Sequence, residues 1–416
     1  MQINTNPAQP LIMHIDLNSC FATVEQQARV RLRGRPVAVV NRRTDQTMIV
    51  TCSYEAKAAG VKLGMKLRDA RRLCPGLVGV ESDPPKYRYV YHRLLDIMND
   101  YSAHVTMKSI DEGVIDFTQA PKSIVGRGLE NIGMEIKRRL RNEIGCAMRC
   151  NVGIATNRFL AKTAASLHKP DGLDVITHEN LRAVYAGLKL KDLTGIAERN
   201  EQRLNSVGIM TPLDFLDTSA HVLHSMVFGS INGEQWHQRL RGWEVDDVST
   251  MTKRVGRQFV LDGFNLSFDE ILQRLHHLCE SVGWRMRKQG LSARGIYVGT
   301  RTFNMKGDRR KNYWHATKVT QTPFFSNETI YSLASSLFVN APPNIRDINI
   351  HVYLLQREEP SQTSLFADQI ARERSVTDAV DDINARYGEH TIHAADTLLS
   401  GPVLNTKIPF GSTRYL

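Results

Sequence analysis

Little in this sequence speaks for a secreted, membrane-bound or cysteine-stapled protein. Its six cysteines, Cys20, Cys52, Cys74, Cys146, Cys150 and Cys279, include no CxxC pair and no Cys/His cluster at zinc spacing. Scattered thiols in a chain of 416 residues read as reduced core side chains, so neither a disulfide nor a structural zinc is expected. No apolar run approaches the roughly 18 residues that a membrane span needs. The opening residues, MQINTNPAQPLIMHID, lack a basic segment followed by an apolar one, so no secretory leader is expected. The expectation is a soluble, cytoplasmic chain. There is no internal repeat and no low-complexity tract.

What is present is a globular composition with a basic surplus. Hydrophobic residues make up 42%, enough to fill cores, and the length suggests roughly two to four domains. The formal net charge is +11, which favours a polyanionic partner. The distribution says more than the sum. Between Ser281 and Thr320 lie ten lysines and arginines and one acid, Asp308.

Leu11 to Leu17 (LIMHIDL) reads as a buried strand, and CFATVEQQARVRLRG as a helix ending at Gly34. PVAVVN and TMIVTCS read as strands, and the segment from Tyr54 to Cys74 as two short helices. Pro84 to Ala103 is helical. HVTMKSI and VIDFT predict a hairpin with Asp111-Glu112-Gly113 in its turn. Lys122 to Ile144 has the spacing of one basic amphipathic helix, followed by strand MRCNVGIAT, helix NRFLAKTAASLH and strand LDVIT. This order predicts an antiparallel-rich α/β (α+β) sheet with helices on one face. Asn180 to Arg241 is all helical. Within it, Gly195-Ile196 and Gly208-Ile209 flank a short helix. That pattern fits a helix–hairpin–helix or a plain glycine-capped turn, with Ala197 where a third glycine is usual. After a polar stretch, four strands and two helices to about Leu355 predict a second α/β domain.

Asp16 closes the first strand, and Asp111-Glu112 follows 95 residues later. If both strands are central in one sheet, the three carboxylates meet at one edge. Such a cluster resists full ionisation without cations. Two Mg²⁺ ions about 3.5–4 Å apart would relieve it and suit phosphoryl transfer. Taken singly, an aspartate at a strand end is more often structural, because turns favour such residues.

The surrounding motifs decide between these readings. IDLNSCFATVE (Ile15 to Glu25), SYEAKAAGVKLGM (Ser53 to Met65), KSIDEGVIDFT (Lys108 to Thr118) and VGIATNRFLAKTAASLHKPDG (Val152 to Gly172) stand in order. Together they resemble the motifs of the Y-family translesion DNA polymerases, with the bacterial polymerase IV type and the polymerase V catalytic subunit as nearest kinds. The resemblance implies a right-hand fold: palm at 1–22 and 79–168, fingers at 23–78, helix–hairpin–helix-like thumb at 169–240, linker at 241–253, little finger at 254–356 and tail at 357–416.

It also implies site residues. Asp16 and Asp111 would bridge two metals, Glu112 would bind the catalytic one, and the Leu17 carbonyl would complete the nucleotide-side one, with Mn²⁺ able to replace Mg²⁺. Phe21 would lie under the sugar and select deoxynucleotides. Thr51, Tyr54, Lys57 and Lys169 would hold the triphosphate, and Gly64 would lie near the templating base. Arg285, Arg287, Arg294, Arg301, Arg309, Arg310 and Lys311 would track primer–template phosphates. Gln362, Leu365 and Phe366 resemble a peptide that docks on the bacterial sliding clamp, and a monomer is expected. Four departures from the family stand out. Lys57 replaces a common arginine, Cys20 an aromatic, Asn18 an acid and Gly113 an alanine.

The implied activity is template-directed, error-prone synthesis for damage tolerance, without a proofreading motif. Two other classes compete: a non-catalytic scaffold for DNA and clamp, and a nuclease or cyclase with the same metal chemistry. Retention of all three carboxylates speaks against the first. The finger motif and basic second domain speak against the second.

Overall fold

The computed structural model describes residues 4–248, 251–261, 266–302, 312–357, 367–388 and 390–398, the side chains of 367–370 excepted. It divides into two units, with the boundary after Val248.

The first unit is built on β1 (Ile12–Leu17), which lies at the centre of a five-stranded sheet. Its neighbours are β6 (Glu112–Asp116) and β7 (Cys150–Ala155), both antiparallel to it. β5 (Val105–Met107) and β8 (Leu173–Val175) form the edges. Five of the six β1 residues are buried, as a near-continuous apolar run in a central strand requires. Period two sends Met13, Ile15 and Leu17 into one core with α1 (Cys20–Ala28), α4 (Pro84–Asn99) and α6 (Leu129–Arg139). Ile12, Val114 and Ala155 face a second core with α7 (Arg158–Leu167). Helices therefore cover both faces, not one. α7 carries enough apolar residues, Phe159, Leu160, Ala161 and Ala164 among them, to cover a face itself.

Between α1 and α4 sits a three-stranded sheet of β2 (Val37–Val40), β3 (Ile49–Cys52) and β4 (Val78–Glu81), with β2 in the middle. It carries α2 (Tyr54–Ala58) and α3 (Leu67–Leu73). β4 pairs with β2, so this layer extends to Glu81. The stretch from Lys122 to Ile144 is not one helix. A turn at Gly126–Gly128 divides α5 (Lys122–Val125) from α6, and the last residues, Leu140–Ile144, widen into a π-turn.

α8 (Leu181–Ala186), α9 (Glu198–Asn205), α10 (Pro212–Asp217) and α12 (Asn232–Leu240) share the α7 core, while α11 (Ala220–Val222) buries none of its residues. Ile196 and Ile209 on either side of α9 are buried, and Gly195 and Gly208 both have positive φ. The start of the stretch read as a linker belongs to this unit. Asn157 Nδ2 donates to the Arg239 and Trp243 carbonyls, and Arg158 pairs with Glu244.

The second unit is an antiparallel sheet in the order β11 (Tyr313–Phe324), β10 (Leu291–Thr302), β12 (Ile345–Arg357), β9 (Arg254–Val260). α13 (Phe268–Arg287) and α14 (Asn327–Phe338) pack on it. Ser267 and Glu270 form a capping box at the start of α13. The tail contributes α15 (Ala367–Tyr387), which folds back on this unit. Asp381 takes both Nε and Nη2 of Arg287 at 2.7 Å.

Candidate active site

Asp16 and Glu112 are direct cross-strand partners at the end of the central β1–β6 pair. Asp111 occupies the hairpin connection as expected, but Glu112 does not. The connection is Lys108 to Asp111, and Glu112 already belongs to β6. The Leu17 N–H donates to the Asp111 carbonyl at 2.8 Å and draws Asp111 to the same edge. The expected convergence of three carboxylates is what this register produces.

Their environments differ. Glu112 accepts from Lys162 Nζ at 2.7 and 2.8 Å and lies 3.3 Å from His14 Nε2. Burial pushes its carboxyl up, but His14 and Lys162 outweigh that and hold it down at about 2. Asp16 is paired with Lys169. Asp111 accepts a hydrogen bond from the Ser109 hydroxyl. Burial raises its pKa, and the charges of Asp16 and Glu112 raise it further. It is therefore the member whose ionised form a nearby cation would favour most. The Cys20 thiol is also raised, by burial and then by Asp111 and Asp16, so it is inert. Five cysteines are buried as expected, but Cys146 is exposed.

Two departures have local causes. Asn18 donates to Asn151 Oδ1 and accepts from the Asp171 N–H, both at 2.8 Å, while Asn151 donates to the His168 carbonyl at 2.9 Å. An acid at 18 could only accept; the amide does both and fixes the loop that carries Lys169. At Gly113, an added Cβ would fall 2.6 Å from Met107 Sδ and 2.8 Å from Met98 Cε.

Phe21 is 8% exposed and stacks on Tyr87, ring centroids 4.3 Å apart and nearly parallel. Thr51 lies on β3, and Tyr54 opens α2, with the Lys57 ammonium 4.4 Å from its ring centre. Burial raises the Tyr54 pKa and the Asp16 charge adds to this. Gly64 is exposed at φ +80°, with only Met48 Cε near a would-be Cβ, at 3.9 Å.

His14, Lys162, Ser109 and the Asn18–Asn151 pair were not anticipated. Period two in β1 places His14 on the Asp16 face and was the available signal. Lys162 had none, since a lone helical lysine is usually solvated. A cleft of about 470 Å³ beside His14 and Lys162 is also lined by Lys108, Arg158, Trp236 and Arg239.

In the second unit, Arg294 is exposed, with Nε donating to the Thr320 carbonyl, and Arg285 Nη1 donates to the Gly256 carbonyl at 3.2 Å. Arg301 pairs with Asp347 at 2.6 Å. Arg287 departs from expectation. It is buried, held by Asp381 and by the Phe325 carbonyl, and is not placed to meet a phosphate. Arg309, Arg310, Lys311, Gln362, Leu365 and Phe366 lie outside the described residues.

The sequence profile of the impB/mucB/samB family matches residues 15–166, and that of the family's C-terminal domain matches residues 253–365. The chain belongs to this family, the Y-family DNA polymerases. A DNA polymerase IV of Moorella thermoacetica is 32% identical, over 94% of this chain and 97% of its own. A DNA polymerase IV of Pelotomaculum thermopropionicum is 31% identical, over 95% and 97%. A solved Y-family DNA polymerase chimera superposes with a TM-score of 0.67 at 22% identity, over 83% of this chain and 99% of its own. The fold is thus that of a Y-family polymerase, and the enzyme class is DNA polymerase. No helix among the polymerase's described residues is long and apolar enough to cross a membrane.

Proposed function

We propose that this polymerase extends a primer on a DNA template with low fidelity, as in lesion bypass, and does so with two divalent cations held by Asp16, Asp111 and Glu112. The observation that carries this is the Asp16–Glu112 register pair with Asp111 beside it, its carboxyl pushed up by burial and then by the two neighbouring charges. Such a crowded all-oxygen set fits hard cations such as Mg²⁺, or Mn²⁺ in its place, with the Leu17 carbonyl as a further ligand. Bound there, the ions supply activation of the primer hydroxyl and neutralisation of the leaving phosphate.

The remaining roles belong to the chain. Lys162 keeps Glu112 ionised. Lys169, resting on Asp16, sets an ammonium where a triphosphate's charge would arrive, alongside Thr51, Tyr54 and Lys57. Phe21, braced on Tyr87, presents a rigid ring against a ribose 2′-hydroxyl. Gly64 leaves space on the template side. Arg285, Arg294, Arg301, Arg309, Arg310 and Lys311 meet backbone phosphates, and Gln362, Leu365 and Phe366 engage a sliding clamp. The polymerase acts as a cytoplasmic monomer.

The test is primer extension with Asp16→Asn and Glu112→Gln. Each should lower single-nucleotide addition by at least about 100-fold while retaining primer–template DNA in a gel shift. Extension at the wild-type rate would show the cation assignment to be wrong. DNA cleavage by the wild type would favour a nuclease, and retention without extension a scaffold.

A further inference from the structure

The second unit holds a group of polar side chains that DNA synthesis does not use. On α13, His277 and Glu280 lie one turn apart on a buried face, 3% and 7% exposed. The turn after α15 brings His390 against them. The His277 and His390 rings stack with centroids 3.8 Å apart, and His390 Nδ1 lies 3.4 Å from Glu280 Oε2. One ligand atom from each residue lies within 4.8 Å of the other two.

Two buried atoms of these residues make no hydrogen bond. Glu280 Oε1 accepts from the Ala394 N–H at 2.9 Å, while Oε2 makes no hydrogen bond and has the His390 ring at 3.4 Å as its ion-pair contact. His277 Nδ1 makes no hydrogen bond either. Buried polar atoms rarely go without a hydrogen bond, and two on adjoining residues of one buried cluster call for an explanation. A neighbouring cavity of about 40 Å³, lined by Glu280 and His390, has room for a water molecule on an ion's open side.

We propose that His277, Glu280 and His390 bind a zinc ion that fastens the tail to the second unit. Two imidazoles and one carboxylate are a known zinc donor set, with ligand bonds of about 2.0–2.2 Å. Mg²⁺ and Ca²⁺ prefer oxygen donors throughout. Zinc would take one nitrogen from each imidazole and a Glu280 oxygen, the three ligand atoms that already lie within 4.8 Å of one another. Because His390 comes from the tail and the other two ligands from α13, the ion cross-links segments 110 residues apart in sequence. The site lies in the second unit, whereas the three carboxylates belong to the first.

The test uses the full-length protein, stripped with chelator and titrated with zinc chloride against a chromophoric competitor. The Asp16→Asn/Glu112→Gln background removes binding at the other carboxylates. One tight equivalent is expected in that background. Glu280→Gln, isosteric, and His390→Ala, in a half-buried turn, should each weaken it by on the order of 100-fold or more. Both should keep their far-UV circular dichroism. Cobalt in place of zinc should give the visible absorption of a four-coordinate site, lost in His390→Ala. Zinc bound equally with and without His390 would overturn the proposal, as would no tight equivalent in the stripped background protein. If Glu280→Gln fails to fold, His390→Ala alone decides.

Discussion

Lys162 is the residue on which the carboxylate edge most depends. It donates to both oxygens of Glu112, at 2.7 and 2.8 Å, and the remaining ring partner, His14, is a longer 3.3 Å away. A hydrogen bond to a charged group is worth about 1.5–3 kcal/mol. Lys162→Ala should therefore slow nucleotide addition by roughly 10- to 100-fold, with DNA affinity little changed, and Lys162→Arg should recover part of the loss. Single-turnover extension checks this; an unchanged rate would make the contact incidental. Phe21 calls for a milder substitution than alanine. Removing a buried ring costs about 3–5 kcal/mol, and the stack on Tyr87 would be lost with it. Phe21→Leu keeps apolar volume but not the flat ring. It should raise ribonucleotide incorporation at near-normal stability, and unchanged sugar selectivity would show that Phe21 does not select the sugar.

At the scale of elements, the contact between β7 and α7 sets the geometry. A Cβ on Gly153 would lie 2.0 Å from the Ala161 carbonyl oxygen and 2.2 Å from the Ala165 nitrogen. Those neighbours are backbone and cannot swing aside. The small residues in VGIATNRFLAKTAASL thus let a helix lie directly on a strand, and that helix carries Lys162 and leads to Lys169. Gly153→Val should cost on the order of 3 kcal/mol or more and displace both lysines, read as a lower denaturation midpoint and slower extension. A variant as stable as wild type would mean that α7 is not seated as described. This motif was legible as strand then helix from its periodicity alone. The second covered face of the sheet was harder to foresee, because apolar alternation in a central strand buried on both sides does not say which helices cover which face. The position of Glu112 was missed for a related reason. Composition marks a turn, but register alone decides where the strand resumes, and here it resumes at Glu112.

Across the whole chain, the tail is where sequence and structure diverge most. The residues after Arg357 read as a polar extension carrying a clamp-type peptide. Instead, α15 and the turn after it are tied to α13 by individual polar contacts: Arg287 to Asp381, His276 to Asp396 and Glu280 to the Ala394 N–H. Such contacts have no periodic signature, so nothing in the hydropathy pattern announced them. They also change how the clamp assignment must be tested. Truncation after Arg357 would remove Leu365 and Phe366 but would also strip buried Arg287 of its carboxylate, and breaking a buried pair costs about 3–5 kcal/mol. The truncated protein should therefore unfold at lower denaturant, and its extension without clamp should fall too. Leu365→Ala with Phe366→Ala should leave both properties at wild-type levels and remove only stimulation by clamp. Asp381→Ala should reproduce the stability loss of the truncation and keep the stimulation. If truncation costs no stability while Asp381→Ala does, the tail's hold on the second unit does not run through Arg287.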